Sequence, residues 1–261
     1  MLREGLSWRF GRAIVRLPGH SVVSGLRDVD RGAPDHARYL EEHAGYVRAL
    51  ECAGLAVETL SALETFPDSV FVEDTALCLP QGIIILRPGA PSRRGEADAM
   101  AVDCAALGLE TLRLGSGTID GGDILVTDRE ILVGASERTN RKGFDALNTI
   151  LTGWGYRARL VHTPRDVLHF KSDCSVLGTN TVLASPRLSG DPCFEGYRVI
   201  ETPPGEEAAA NAIRVNDSVL VAAGYPRTAE RLAAAGFEVH AIPASQAALL
   251  DGGLSCQSLR F

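Results

Sequence analysis

The sequence predicts an α/β ring built from one unit repeated five times. Three features predict it. Helix-forming stretches stop at a glycine and run into an apolar strand, and a polar residue then precedes two short apolar runs split by a turn. A third feature is a strand near each end of the chain with no partner of its own.

In chain order, "GRAIVRLPG" is the unpartnered N-terminal strand. "ARYLEEHAGYVRALECAG" leads into "LAVETL", "RRGEADAMAVDCAALG" into "LETLRL", "RKGFDALNTILTGWG" into "YRARLVH", and "RTAERLAAAG" into "FEVHAIP". A glycine at the helix end accepts the left-handed conformation that stops a helix. The segments that follow are β-branched or alternating, as strands are. "SGDPCFEG" before "YRVIET" is a weaker fifth copy, with room only for a short helix.

Each strand is followed by a polar pivot and a hairpin-like pair of apolar runs: "FVEDTALCLPQGIIILRPG", "IDGGDILVTDREILVG", "HFKSDCSVLGTNTVLAS", "NAIRVNDSVLVAAG" with Asn216-Asp217 at its turn, and "GGLSCQSLRF". Repeats of about 40–50 residues of this kind decide a fold. Pairing the first strand with the last unit closes the ring and removes open edges. The pivots are Glu73-Asp74, Asp120, His169, Asn211 and Cys256. In a pseudo-symmetric ring, equivalent positions meet on the axis, so a thiol, an imidazole and several carboxylates converge.

The 261 residues, 45% hydrophobic and 23% charged, fit a globular protein with a sizeable core. Residues 1–261 are expected to form one catalytic domain. A net charge of −7 argues against nucleic acid or an anionic membrane as partner and is compatible with a cationic small molecule. The six cysteines are scattered with no CxxC pair, so they read as free thiols in a reducing cytoplasm. The N-terminus lacks a signal-peptide pattern, and no stretch approaches the roughly 20 apolar residues of a membrane span.

A free thiol with a pKa near 8.5 is only about 3% thiolate at pH 7 and needs a base or cation beside it to attack. His169 supplies one, and Asp120 can hold the imidazole in one tautomer, as in a triad. Asp68, Glu73 and Asp74 form a dense acidic cluster, and carboxylates bind planar guanidinium groups through paired hydrogen bonds. The set suits attack on the carbon of a guanidinium or amidine.

The motifs "DSVFVEDTA", "RPGAPSRR", "IDGGDILVT", "RTNRKG", "LHFKSDCS" and "DGGLSCQS" occur in an order that resembles the dimethylarginine dimethylaminohydrolases, among the guanidino-group-modifying enzymes. The resemblance covers nearly the whole chain. It implies a five-bladed pseudo-symmetric α/β propeller (the pentein fold) of ββαβ units, closed by the N- and C-terminal strands. It implies hydrolysis of asymmetric dimethylarginine and monomethylarginine to citrulline and the methylated amine, with no cofactor and no metal, and it is compatible with a homodimer.

Carried over by motif, Cys256 matches the nucleophile, His169 the general acid/base and Asp120 the acidic residue that orients it. Asp68, Glu73 and Asp74 match contacts to the guanidinium and the neighbouring amine. Arg93 and Arg138 match the arginines at the α-carboxylate end, and Leu26 and Leu250 match further pocket contacts. Some members carry a second cysteine after the nucleophile, where this chain has Gln257. The glycine-bearing loops "RLPGHSVVSG" and "LRLGSG" lie near the expected site, the first as a lid.

Other readings compete. A hydrolase of arginine, agmatine or another guanidine uses the same chemistry, and a non-catalytic guanidino-binding propeller uses the same fold. Cys52, Cys78, Cys104 and Cys193 read as small buried hydrophobes. Asp123 reads as a structural carboxylate in the "DGGD" turn.

Overall fold

A computed structural model describes residues 3–261. Its strands form five separate three-stranded sheets, and these do not merge into a barrel. The second sheet holds Ala76–Leu79, Gly82–Ile85 and Thr111–Arg113; the third holds Ile124–Val126, Ile131–Ala135 and Ala158–His162. The fourth holds Cys174–Gly178, Thr181–Ala184 and Arg198–Glu201; the fifth holds Ile213–Val215, Ser218–Ala222 and Glu238–Ile242. In each, the middle strand pairs antiparallel with the first and parallel with the third. A parallel pair needs a crossover. Helices α2 (Arg94–Ala106), α3 (Arg141–Gly153) and α4 (Pro226–Ala234) supply it in three sheets, and the short turn Pro192–Phe194 supplies it in the fourth.

The first sheet is assembled from both ends of the chain. Arg12–Arg16 runs antiparallel to Leu259–Arg260, with Ala13 opposite Arg260 and Ile14 opposite Leu259. It runs parallel to Ala56–Leu60, across helix α1 (His36–Cys52). The C-terminus is therefore a paired strand, as the repeat predicts. The helix-stop glycines behave as predicted too: Gly54 after α1 has φ +96° and Gly236 after α4 has φ +93°, values a side chain with a Cβ adopts only with strain.

Apolar side chains from adjacent sheets pack together, so the core is divided among the blade interfaces. Ile84 of the second sheet and Leu114, just past its last strand, meet Ile124 and Val133 of the third under Leu147 of α3. Ile14, fully buried at the closing sheet, packs on Val72, Ile85 and Met100. Two cysteine readings are corrected. Cys52 is exposed and Cys78 is half-buried, because Cys52 is the last residue of α1 and lies on its solvent side. Among the described residues, no helix is long and apolar enough to cross a membrane.

Closure through Ile14 has a measurable cost when broken. Ile14→Ala is expected to lower stability by about 2–5 kcal/mol, read as a fall in the urea midpoint with an unchanged slope. A loss under about 1 kcal/mol would show that closure depends on other contacts.

Candidate active site

A short 3-10 turn precedes the inner strand of each sheet: Val72–Thr75, Gly121–Asp123, Phe170–Ser172, Glu207–Ala210 and Ser255–Gln257. The five pivots lie on or beside these turns, and successive turns touch around the ring. The approach is close enough to exclude side chains at the "GG" of the third unit. A Cβ on Gly121 would collide with the Glu73 carbonyl, and one on Gly122 would lie 2.7 Å from His169 Nδ1.

His169 is buried, and its Nε2 lies 2.9 Å from Asp120 Oδ2. The other Asp120 oxygen accepts the Gly89 N–H at 2.7 Å. Asp123 accepts the Phe170 N–H at 2.9 Å and the Ser136 hydroxyl at 2.5 Å, so it fixes the backbone next to His169. Burial disfavours the imidazolium, but the Asp74 charge, the Asp120 hydrogen bond and the Asp123 charge outweigh it. The pKa rises from the ordinary 6.5 to about 9. His169 is thus a cation at neutral pH.

Asp74 is held the other way. Burial raises its pKa, but the charges of His169 and Arg93 and the Gly122 N–H, 2.8 Å from Oδ1, overcome this and lower it to about 2. Arg93 Nη1 donates to Asp74 Oδ2 at 2.5 Å. Its Nη2 donates to Glu96 Oε2 at 2.8 Å and to the Phe71 carbonyl at 2.9 Å. Its Nε reaches the same Glu96 carboxylate at 3.1 Å. Arg93, expected at the α-carboxylate end of a ligand, is buried among protein groups here and clamps the acidic turn. Glu73 is engaged by Lys171 Nζ at 2.5 Å, by the Ser255 hydroxyl at 2.8 Å and by Arg260 at 3.4 Å.

Cys256 sits in the last turn, against the apolar cluster of Val22, Tyr39, Val70, Phe71, Ala247 and Leu250. Burial, then the charges of Glu73 and Asp74, push its thiol up to about 12; the Gly253 N–H, 3.4 Å from Sγ, and Lys171 pull the other way. The preceding glycines are sterically required. A Cβ on Gly252 would strike the Phe71 ring, and one on Gly253 would strike the Asn211 amide.

The remaining expected residues gather around this centre. Asp68 is buried, its pKa raised by burial, and its Oδ1 accepts the Leu26 N–H at 2.9 Å. The Leu26 side chain is itself exposed, so its main chain is what ties the expected lid to the acidic cluster. The same loop is held by Glu64, which accepts the N–H groups of His20 and Ser21 at 2.9 Å each, and by Asp251, which accepts that of Asp28 at 2.6 Å. Leu250 is buried beside Cys256. Arg138 is half-buried, and its charge acts on Asp68. The neighbouring Arg94 is exposed, and Arg141 is spent on Asp145 at 2.8 Å.

Ligand atoms of Asp74, Asp120 and His169 lie within 4.8 Å of one another and form a candidate metal cluster. Those atoms are already matched internally, with His169 on Asp120 and Asp74 on Arg93 and Gly122. The donor set is that of an imidazolium held between carboxylates.

The arginine deiminase family model matches residues 55–195. A dimethylarginine dimethylaminohydrolase from Pseudomonas aeruginosa is 40% identical over 254 residues, covering 97% of this chain and 100% of the relative. The chain belongs to the dimethylarginine dimethylaminohydrolase family. A solved structure of a Pseudomonas aeruginosa member, a cysteine-to-serine variant with citrulline, superposes with a TM-score of 0.93 at 38% identity, covering 97% of this chain and 100% of that one. Another, a histidine-to-glycine variant of a family member in adduct with S-methyl-L-thiocitrulline, gives 0.92 at 39% identity, with the same coverage. The five-sheet architecture is that of the family.

Sequence reasoning did not single out Lys171, Ser255 or Glu96. Ser255 adjoins Cys256 and Lys171 lies two residues after His169, so adjacency to a pivot was the available signal. Glu96 had the signal of i,i+3 spacing from Arg93. The Arg93 clamp has a clear energetic signature. Arg93→Met strips Glu96 of its charged partner and leaves Asp74 only His169 and the Gly122 N–H, and is expected to cost about 3–5 kcal/mol. Thermal and urea unfolding measure this, and a change below about 1 kcal/mol would contradict the clamp.

Proposed function

We propose that this protein hydrolyses asymmetric dimethylarginine and monomethylarginine to citrulline and the corresponding amine, with Cys256 as nucleophile, His169 as general acid/base and Asp120 as its orienting partner. The observation that carries this reading is a cationic His169 held by buried carboxylates in the same ring of turns as a protonated Cys256 thiol. A neutral thiol and an imidazolium on turns of one ring, with Asp74 acting on both, are a resting pair that waits for a cationic substrate.

Ionising a thiol held near 12 at pH 7 costs on the order of 7 kcal/mol. A guanidinium about 4 Å from the sulfur returns roughly 4 kcal/mol at an effective dielectric near 20. It also neutralises the Glu73 and Asp74 fields that oppose the thiolate. Binding of the substrate cation is therefore the main event that arms the sulfur; the thiol proton passes to solvent, because His169 already holds its own, and returns when the product leaves. Asp68, Glu73 and Asp74 form the acidic wall of its pocket, and Arg138 is the cation available for the α-carboxylate, with Leu26 and Leu250 as flanking contacts. Arg93 acts on this wall by holding Asp74.

The thiolate then adds to the guanidinium carbon. His169 gives its proton to the methylated nitrogen, the C–N bond breaks, and the amine leaves an S-alkylthiouronium on Cys256. Neutral His169 takes a proton from water, and the hydroxide adds to the same carbon. Collapse breaks the C–S bond, regenerates the thiolate and releases the ureido product. The proton lost from the added hydroxyl protonates the free amine, so one guanidinium and one water become citrulline and one alkylammonium.

Six free cysteines suit a reducing cytoplasm. The test of activity is citrulline release from dimethylarginine, monomethylarginine, arginine and agmatine in parallel, with Cys256→Ala as control. Turnover is expected for the methylated arginines alone and is expected to vanish in the variant. Turnover of arginine or agmatine would move the substrate while keeping the chemistry. The pH profile has a defined sign. His169 carries its proton below about 9, so at saturating substrate, where the bound cation has already ionised Cys256, kcat is expected to fall about tenfold per pH unit above that point. A fall beginning near pH 6.5 would show an imidazole free of its carboxylates.

A further inference from the structure

Four of the five pivots enter the proposed chemistry. Asn211, the fifth, does not, yet it is buried and fully engaged. Its Oδ1 accepts the Ser255 N–H at 3.0 Å. Its Nδ2 donates to the Lys171 carbonyl at 2.9 Å and to the Ser255 hydroxyl at 3.1 Å. Lys171 lies two residues after His169, and Ser255 is the residue before Cys256. One amide thus bridges the turn that follows the proposed acid/base and the turn that bears the proposed nucleophile. Its place in the ring explains why an amide stands there. Asn211 ends the Glu207–Ala210 turn of the fifth sheet, between the turns of the fourth and first sheets. Both neighbours present main-chain groups of opposite kind, a carbonyl on one side and an N–H on the other. Asparagine satisfies both at once, whereas a carboxylate offers no donor to the carbonyl.

We propose that Asn211 is a positioning residue that fixes Cys256 relative to His169 by clamping the two turns together. It touches neither reacting group, and it acts through Ser255 and Lys171. Three further contacts make the clamp stiff. Gly253 has no side chain where it passes the Asn211 amide. The Ser255 hydroxyl passes the constraint on to Glu73 at 2.8 Å, and Glu73 is tied to Lys171. Rotation of the Asn211 side chain would therefore break contacts with both turns. Proximity effects in catalysis are steep, and a shift of about 1 Å costs on the order of a hundredfold in rate.

The experiment compares Asn211→Ala and the near-isosteric Asn211→Asp with the wild type. The expected result is a kcat for dimethylarginine at least about 30-fold lower in both variants, with KM and the inhibition constant of citrulline within about threefold of wild type. A residue that only supports the fold would lower the melting temperature and the active fraction while leaving kcat per folded site intact. Asn211→Asp keeps the volume and the Oδ1 acceptor, so it reports on the clamp even where Asn211→Ala unfolds. The reading rests on the proposed hydrolase, so a second arm needs no substrate. Hydrogen exchange at the Ser255 amide is expected to accelerate at least about tenfold in Asn211→Ala while strand amides keep their protection. A wild type inactive on methylated arginines, with the exchange change intact, would sink the substrate assignment and leave the clamp standing. Wild-type kcat in Asn211→Asp, or an unchanged Ser255 exchange rate in folded Asn211→Ala, would overturn the clamp.

Discussion

Everything at the centre of this propeller depends on keeping a crowd of carboxylates ionised away from water. Glu73, Asp74, Glu96, Asp120 and Asp123 are all buried within a few turns of one another. Unpaired charges there would cost several kcal/mol each. The structure meets that cost with Arg93 between Asp74 and Glu96, with Lys171 and Arg260 on Glu73, and with a protonated His169 on Asp120. Burial still wins in places. It pushes Glu96 up to about 7 despite the Arg93 contacts, and it raises Asp123. The site is therefore rich in carboxylates, and a guanidinium is a shape and charge that fits them.

This constraint links fold to chemistry. Each blade is too small to hold a site alone, and each contributes one short turn at the axis. The turns approach so closely that glycines are needed between them. Burial there raises the thiol pKa and strengthens the His169–Asp120 contact. In the proposed reaction, the desolvation that holds the Cys256 thiol protonated also makes a bound cation effective in ionising it.

Much of this is legible in the sequence. The repeat is readable because each helix stops at a glycine and each strand is short and apolar. The placement of Asp120, His169 and Cys256 on or beside turns of one ring follows from the repeat, since a ring puts equivalent positions around its axis. What is not legible is how charges are distributed among partners. Arg93 and Asp74 are nineteen residues apart, and Lys171 and Glu73 ninety-eight. No local pattern states that Arg93 turns inward to Asp74 and Glu96 while Arg138 is left half-buried. The exposure of Cys52 was missed for a simpler reason, because a helix end offers either face to solvent.

The central claim is that His169 rests as an imidazolium because the carboxylates around it outweigh its burial. The most direct measurement is a pH titration of its ring nitrogens by 15N NMR in the free, folded protein. Both nitrogens are expected at imidazolium shifts through neutral pH, with a midpoint near 9. A neutral ring at pH 7.5, with its proton held on one nitrogen, would contradict the account. It would mean that burial prevails over the carboxylates and that the proton for the leaving amine comes from elsewhere.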